Sequence, residues 1–378
     1  LDRISPVAVA AAAALLLVGC GQSARPRLTV VAGGLDNPRQ LSIGPGGTLY
    51  VAEAGHGGDV RCTNTPDSPQ PICIGASGAI ATVSGGRVRT VVGGLPSVAA
   101  RSGREASGPA AVLASGGRLA FVVQDTQIGP TGANRFGTAG RLLGQLVVAS
   151  AQDPRLRAVA DLARYEASHN PDHGAGATAG ATIESDPYAI AAFQDGYAVA
   201  DAAGNDLLWV GPGGAVRVLA VFPTQVEVAP AGVAGRAATR VTAQSVPTSV
   251  AVGPDGALYV SELTGFPFQV GAARVWRVVP GRAPTVYASG FTNISAIAFD
   301  RAGRLLVLEI DRSGLRDTHG AGELLRLDSD GRRTVLAGAG LSYPTGLAVG
   351  SDGSIYIANR GNEPAGGTGA HGEILRLS

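Results

Sequence analysis

The sequence predicts an all-β fold, a six-bladed β-propeller closed by pairing of an N-terminal strand with the C-terminal blade. Three observations carry this. One hairpin recurs six times, two further strands follow it in several copies, and the two chain ends supply the parts of one incomplete unit. The composition agrees: Gly 56 and Pro 23 with only 5% aromatic residues suit many short strands and tight turns rather than long helices.

The clearest hairpin is VPTSVAVGPDGALYVSE, Val246 to Glu262. It returns as YPTGLAVGSDGSIYIAN (Tyr343 to Asn359), NISAIAFDRAGRLLVLE (Asn293 to Glu309) and NPRQLSIGPGGTLYVAE (Asn37 to Glu53). Weaker copies are GPAAVLASGGRLAFVV (Gly108 to Val123) and DPYAIAAFQDGYAVAD (Asp186 to Asp201). The leading Pro suits the first residue of a strand, where a missing N–H costs least. The turn Gly253 to Gly256 puts Pro at a fixed φ and Gly where φ must be positive.

Strands a and b form this hairpin. A third strand, c, reads GAIATVSGGR, ARVWRVVPGR or GELLRLDSDGR, and a fourth, d, reads TVVGGL, TVYASGF or TVLAGAGL. The last residues, Gly372 to Ser378, are a strand c with no d behind it, and Leu28 to Leu35 is a strand d with no hairpin before it. Pairing them closes the ring, so residues 28–378 form the propeller. Unit starts at Pro38, Pro109, Pro187, Pro247, Ile294 and Pro344 are spaced by 71, 78, 60, 47 and 50. A blade needs roughly 40–50 residues, so the first three units carry insertions. Only Asp153 to Ala167 has helical spacing, with Asp153 as candidate N-cap; a strand d followed by a helical turn fits it equally.

Residues 1–20 place a basic residue, Arg3, before an unbroken apolar run from Val7 to Val18. That run is too short to span a bilayer and fits a secretory signal. It ends in Leu17-Val18-Gly19-Cys20, similar to the bacterial lipoprotein box, in which the Cys is lipidated; an ordinary secretory signal is the plainer reading. Residues 21–27 then form a tether. On this reading the protein is exported and touches membrane through its lipid anchor only. With Cys20 assigned to lipid, Cys62 and Cys73 remain as a local pair that an oxidising compartment would bond. A net charge of +1 gives no bulk attraction for nucleic acid.

The L-Y-V-[A/S]-E ending after G-P-x-G resembles the NHL-repeat class of propellers. Longer stretches, above all VPTSVAVGPDGALYVSELTGFPFQVGAARVWRVVPG and DPYAIAAFQDGYAVADAAGNDLLWV, resemble the bacterial ScyD/ScyE family across nearly all of the chain after the signal. That resemblance implies an exported propeller and no particular activity, substrate or catalytic residue.

Strand b ends on Glu53, Val123, Asp201, Glu262, Glu309 and Asn359, a polar ring interrupted only in blade 2, where Gln124 and Asp125 follow. The start of a and the end of b share one face of the disc, so Glu53, Asp201, Glu262, Glu309 and Asn359 are candidate ligand-binding residues at the channel mouth. Glu53, Glu262 and Glu309 are candidates for a cation, and oxygen-only ligands suit Ca²⁺. The plainer reading is that each carboxylate caps the turn after its strand. Arg39 and Arg360 are candidates to neutralise the ring. All five histidines (His56, His169, His173, His319 and His371) fall in loops of that face, His169 and His173 beside Asp172. Phe266 and Phe268 mark an exposed or pocket-lining loop, or a plug over the channel. The opposite face is expected to carry only tight turns, too short to shape a pocket.

No nucleophile elbow, zinc-protease motif or phosphate loop occurs. The leading functional expectation is therefore a binding or scaffold module for a small molecule or protein. A Ca²⁺-assisted hydrolase or lactonase is the alternative. A quinone-dependent sugar dehydrogenase fits less well, because the ring is acidic.

Overall fold

The computed structural model describes residues 27–64, 70–103, 106–124, 134–150, 155–175, 183–230, 238–316, 320–362 and 371–378. The signal run and Cys20 lie outside them, as does His319. Six sheets of the predicted a-b-c-d order stand in succession. Their a strands are Pro38–Ile43, Pro109–Ser115, Pro187–Phe193, Pro247–Val252, Ile294–Phe299 and Gly346–Val349. Ring closure is by the expected pairing: Leu28–Leu35 runs antiparallel with Gly372–Leu377, from Leu28 opposite Leu377 to Leu35 opposite Gly372.

The repeated G-P-x-G-x-L-Y pattern has a packing cause. In blade 4 a Cβ on Gly253 would lie 2.2 Å from Cε2 of Tyr259, so the strand-b tyrosine lies over the turn and only glycine fits beneath it. Between blades, alternate strand residues interdigitate. Phe121, Phe222 and Phe291 are fully buried there, each burial stabilising the disc by about 1.5–3 kcal/mol.

The disc has two unlike faces. The turn face carries the a–b and c–d turns. The crossing face carries the d–a crossings between blades and the b–c loops, where most insertions lie. In blade 1, strands c (Ile72–Ser84) and d (Arg87–Ala100) run on past the hairpin and are joined by a short strand, Arg61–Thr63. Between blades 3 and 4 the crossing holds a separate hairpin, Gln225–Ala229 with Thr239–Ala243. Between blades 2 and 3 it holds helix α1, Leu162–His169. The helical spacing seen from Asp153 onward thus resolves into strand d, Arg157–Asp161, and then α1. Asp161 is the N-cap, its carboxylate accepting from the Arg164 N–H at 2.9 Å; Asp153, the candidate cap from the sequence, lies outside the described residues.

Cys62 and Cys73 lie directly opposite each other in the blade 1 extension and are disulfide-bonded, as the sequence led us to expect. Closing an 11-residue separation restricts the unfolded chain by about 3 kcal/mol on the loop-entropy model. Thiol labelling of the folded, unreduced protein is expected to find neither cysteine reactive. Labelling at either position would show the bond absent.

Candidate functional site

The strand-b ring is built the same way in five blades, and its side chains reach to the crossing that enters their own blade. A Glu53 carboxylate oxygen accepts the Asp36 N–H at 2.8 Å. Asp201 accepts from the Asp186 N–H at 2.6 Å, the Ser185 hydroxyl at 2.6 Å and the Gly204 N–H at 3.0 Å. Glu262 accepts from the Ser245 hydroxyl at 2.7 Å, Glu309 from the Thr292 N–H at 2.8 Å, and the Asn359 carbonyl from the Ser342 N–H at 2.8 Å. These bonds fasten each crossing to the blade it enters. Four of the five crossings place the residue before the unit start at positive φ, at Asn37, Val246, Asn293 and Tyr343. A β-branched residue such as Val246 tolerates that only where neighbours hold it.

Burial sets the electrostatics of the ring. It raises the Glu53 carboxyl above its usual range, the Asp36 N–H opposing the shift and the Asp36 charge adding to it. Glu309 is pushed up to about 7 by burial, against the Thr292 N–H. Burial also raises Asp201, its hydrogen bonds opposing. Glu262, fully buried, meets Arg274 at 2.7 Å and the Trp276 indole N–H at 2.6 Å. Glu53, Glu262 and Glu309 stay in their own blades. Among the described residues no group of three His, Cys, Asp or Glu is arranged to hold a metal ion.

Arg39 does not neutralise the ring. Its guanidinium donates to the Gly361 carbonyl and, at 2.6 Å, to the Ala106 carbonyl, bridging loops of blades 6 and 2. Arg360 approaches Glu373 at 3.4 Å rather than a strand-b carboxylate. Two residues that the strand-end pattern passes over close the mouth. Arg39 is 3% exposed, and burial lowers its pKa, with Tyr188, Asp186 and Asp36 opposing. Gln40 reaches across the channel, its amide donating to Ser295 O at 2.9 Å and Thr248 O at 3.3 Å. Burial raises the Tyr188 phenol above its usual range. The signal for these residues was the strand-a position after Pro, which reads Arg39, Ala110, Tyr188, Thr248, Ser295 and Thr345 around the ring. Arg39 and Tyr188 are the large side chains among small ones. Around them, the Thr248 hydroxyl donates to Ile294 O at 2.6 Å and the Thr345 hydroxyl to Pro38 O at 2.7 Å, stitching neighbouring a strands.

On the crossing face, His56 pairs with Asp36, and Phe266 is 46% exposed in the b–c loop of blade 4. His169 and His173 do not converge on a common ligand: His169 stacks on Tyr165 at 4.2 Å. The turn face is not featureless. A cleft of about 490 Å³ lies between the a–b turns of blades 2 and 3, lined among others by Arg118, Asp195 and Tyr197. Two adjacent tight turns shape a pocket there that neither makes alone.

With this geometry in view, residues 341–362 match the NHL repeat. The chain is an NHL-like six-bladed β-propeller. The matched segment is the a–b hairpin of blade 6. No curated protein matches the chain. Among solved structures, the NHL-like propeller is similar to a putative oxidoreductase (glucose dehydrogenase) from Thermus thermophilus, with 20% identity, TM-score 0.52, and 93% of this chain and 100% of that one covered. The PQQ-bound aldose sugar dehydrogenase of Streptomyces coelicolor aligns at 15% identity and TM-score 0.52, over 94% and 98%. A gluconolactonase of Xanthomonas campestris aligns at 12% and 0.50, over 93% and 89%. At such identities the likeness is one of fold.

Proposed function

We propose that this propeller is an exported, membrane-tethered binding or scaffold module of the ScyD/ScyE kind, with its ligand taken at the crossing face. The observation that carries this reading is the closed mouth. Arg39 and Gln40 bind backbone carbonyls of blades around the ring, so the crossing face offers a shaped surface of irregular loops on a rigid disc. Binding residues concentrate on loops so held. Export is supported by the apolar run ending at Cys20 and by the disulfide, which suits an oxidising compartment. The Ca²⁺-assisted hydrolase reading requires a bound ion, and elemental analysis of the purified protein separates it from ours.

The test places a photo-crosslinking amino acid at Phe266, on the crossing face, or at Asp330, in a c–d turn of the turn face, in cells carrying the full chain. Crosslinks to a discrete partner or small molecule are expected from position 266 alone. Adducts from position 330 alone, or one bound Ca²⁺ per chain, would count against the proposal. Fractionation of a Cys20→Ser variant tests the tether independently: it is expected to leave the membrane fraction, and a variant that stays there is not anchored through Cys20.

A further inference from the structure

Four carboxyl groups meet where the insert between blades 2 and 3 lies on blade 3. Glu166 comes from α1, Asp172 from the turn after it, Asp201 from the end of strand b (Gly196–Asp201) and Asp206 from the start of strand c (Asp206–Val210). Their exposures are 1%, 9%, 0% and 0%. Asp201 accepts the three hydrogen bonds given above. Asp172 accepts from the Gly174 N–H at 2.7 Å and the Asn205 amide at 2.9 Å. The other two differ. Neither oxygen of Asp206, nor Oε2 of Glu166, has a hydrogen-bond partner among the described residues. A Cβ on Gly204 would lie 3.2 Å from Glu166 Oε2 and 3.4 Å from Asp201 Oδ1, so these two carboxyls flank the same glycine.

The charges acting most strongly on these two groups are all negative: Asp201 and Asp172 on Glu166, and Asp201, Glu166 and Asp172 on Asp206. The phenol of Tyr165 also couples to them, itself raised by burial and then by Asp206 and Glu166. A buried carboxylate without donors or a counter-charge is strongly disfavoured, and a neutral acid is not. The carboxyls are not arranged around a common metal ion. Protons are the compensation that this geometry accepts. Burial first, then the neighbouring carboxylates, pushes Glu166 up to about 8 and Asp206 well above its ordinary range.

We propose that Glu166 and Asp206 are protonated acids that latch the α1 insert onto blade 3, and that their ionisation releases it. Asp201 links the cluster to the start of strand a of blade 3. Asp201, inside the cluster, holds Ser185 and Asp186, and the Tyr188 phenol and the Arg39 guanidinium act on each other two residues further on. This latch stands apart from the binding reading above and does not require it.

The direction with pH follows from proton linkage. A latched Glu166 keeps its proton up to about 8, whereas a released one sheds it near 4.5. The latched form therefore binds more protons than the released form between those values. Its advantage is greatest at the acid end, falls by up to about tenfold per pH unit as pH rises, and for Glu166 levels off above about 8. Asp206, raised in the same direction by burial and the neighbouring carboxylates, adds to the loss.

Hydrogen exchange of the full chain at pH 5.5 and pH 9, corrected for the intrinsic rate, tests this. The amides of residues 162–175 are expected to lose at least tenfold protection at pH 9, with residues 186–190 following. Glu166→Gln and Asp206→Asn are each expected to lose less protection at pH 9 than the unmodified protein, and the double variant to remain protected, which separates the carboxyls from His169 and His173 on the same insert. Should Asp206→Asn fail to fold, Glu166→Gln decides. Equal protection of the unmodified protein at both pH values would overturn the proposal. So would parallel loss in Glu166→Gln, or recovery at pH 9 on adding Ca²⁺ alone, which would make the occupant a metal ion.

Discussion

Removing residues 28–34 is expected to unfold the whole disc rather than trim its edge. Those residues are strand d of blade 6, paired with Gly372–Leu377. The segment Leu28–Leu35 also places Ala32 and Leu35 in a core with Leu41, Val51, Ala81, Ala358 and Ile374 from blades 1 and 6. The deletion removes Ala32 and takes away the strand that holds Leu35 in place; forfeiting the burial of a leucine side chain costs about 1.5–3 kcal/mol, and a whole ladder goes with it. Native stability is only about 5–15 kcal/mol. The uncovered strand c would also present an unpaired edge to other chains. Light scattering and a thermal melt check the result. A deletion variant that stays monomeric and melts unchanged would show that the ring does not depend on this closure.

Glu262→Ala is expected to be the most damaging single substitution in the strand-b ring, costing about 3–5 kcal/mol. Glu262 is fully buried and joins the Ser245 hydroxyl, the Arg274 guanidinium and the Trp276 indole N–H. Truncation leaves a partly buried guanidinium without its counter-charge and a buried indole N–H without an acceptor. Asn359→Ala, which removes the bond from the Ser342 N–H and those to the Gly340 carbonyl and the Glu373 carboxylate, is expected to cost about 1–3 kcal/mol. Urea unfolding of each variant, in Ca²⁺ and in chelator, checks both values. Losses that are equal in the two conditions match side chains that fasten crossings. A loss present only with Ca²⁺ would instead place an ion at Glu262.

How much of this was legible depends on how far apart the interacting residues lie. The blades, the closure and the Cys62–Cys73 bond were readable because each is a repeated or local pattern with few structural answers. The ring was readable as a set of positions. Its hydrogen bonds were not, because the partner of Glu53 is Asp36 and that of Glu309 is Thr292, in crossings 17 residues upstream. No hairpin pattern encodes that contact. Arg39 was noticed only as a possible counter-charge to the ring; Gln40 passed unnoticed, and both stand out as mouth-closing residues only when strand-a starts are compared around the ring. The carboxyl cluster was still less accessible: Glu166 comes from the insert between blades 2 and 3 and Asp206 from blade 3, 40 residues on, and they meet only after folding. In the α1 region apolar spacing ran through a strand and a helix alike, and the boundary fell where Asp161 could cap the helix.

Strand d of blade 6 begins at Leu28, opposite Leu377, which in turn pairs with Ile355 just after the blade's own a–b turn. The segment leading to Leu28 therefore joins the disc at the rim of its turn face. On the proposed anchoring through Cys20, the seven residues 21–27 reach at most about 25 Å when fully stretched. So short a stem leaves little freedom to flip. The protein would stand on the bilayer like a dish on a foot, the blade 2–3 cleft turned down toward the lipid headgroups and the loops of the mouth held up to whatever passes outside.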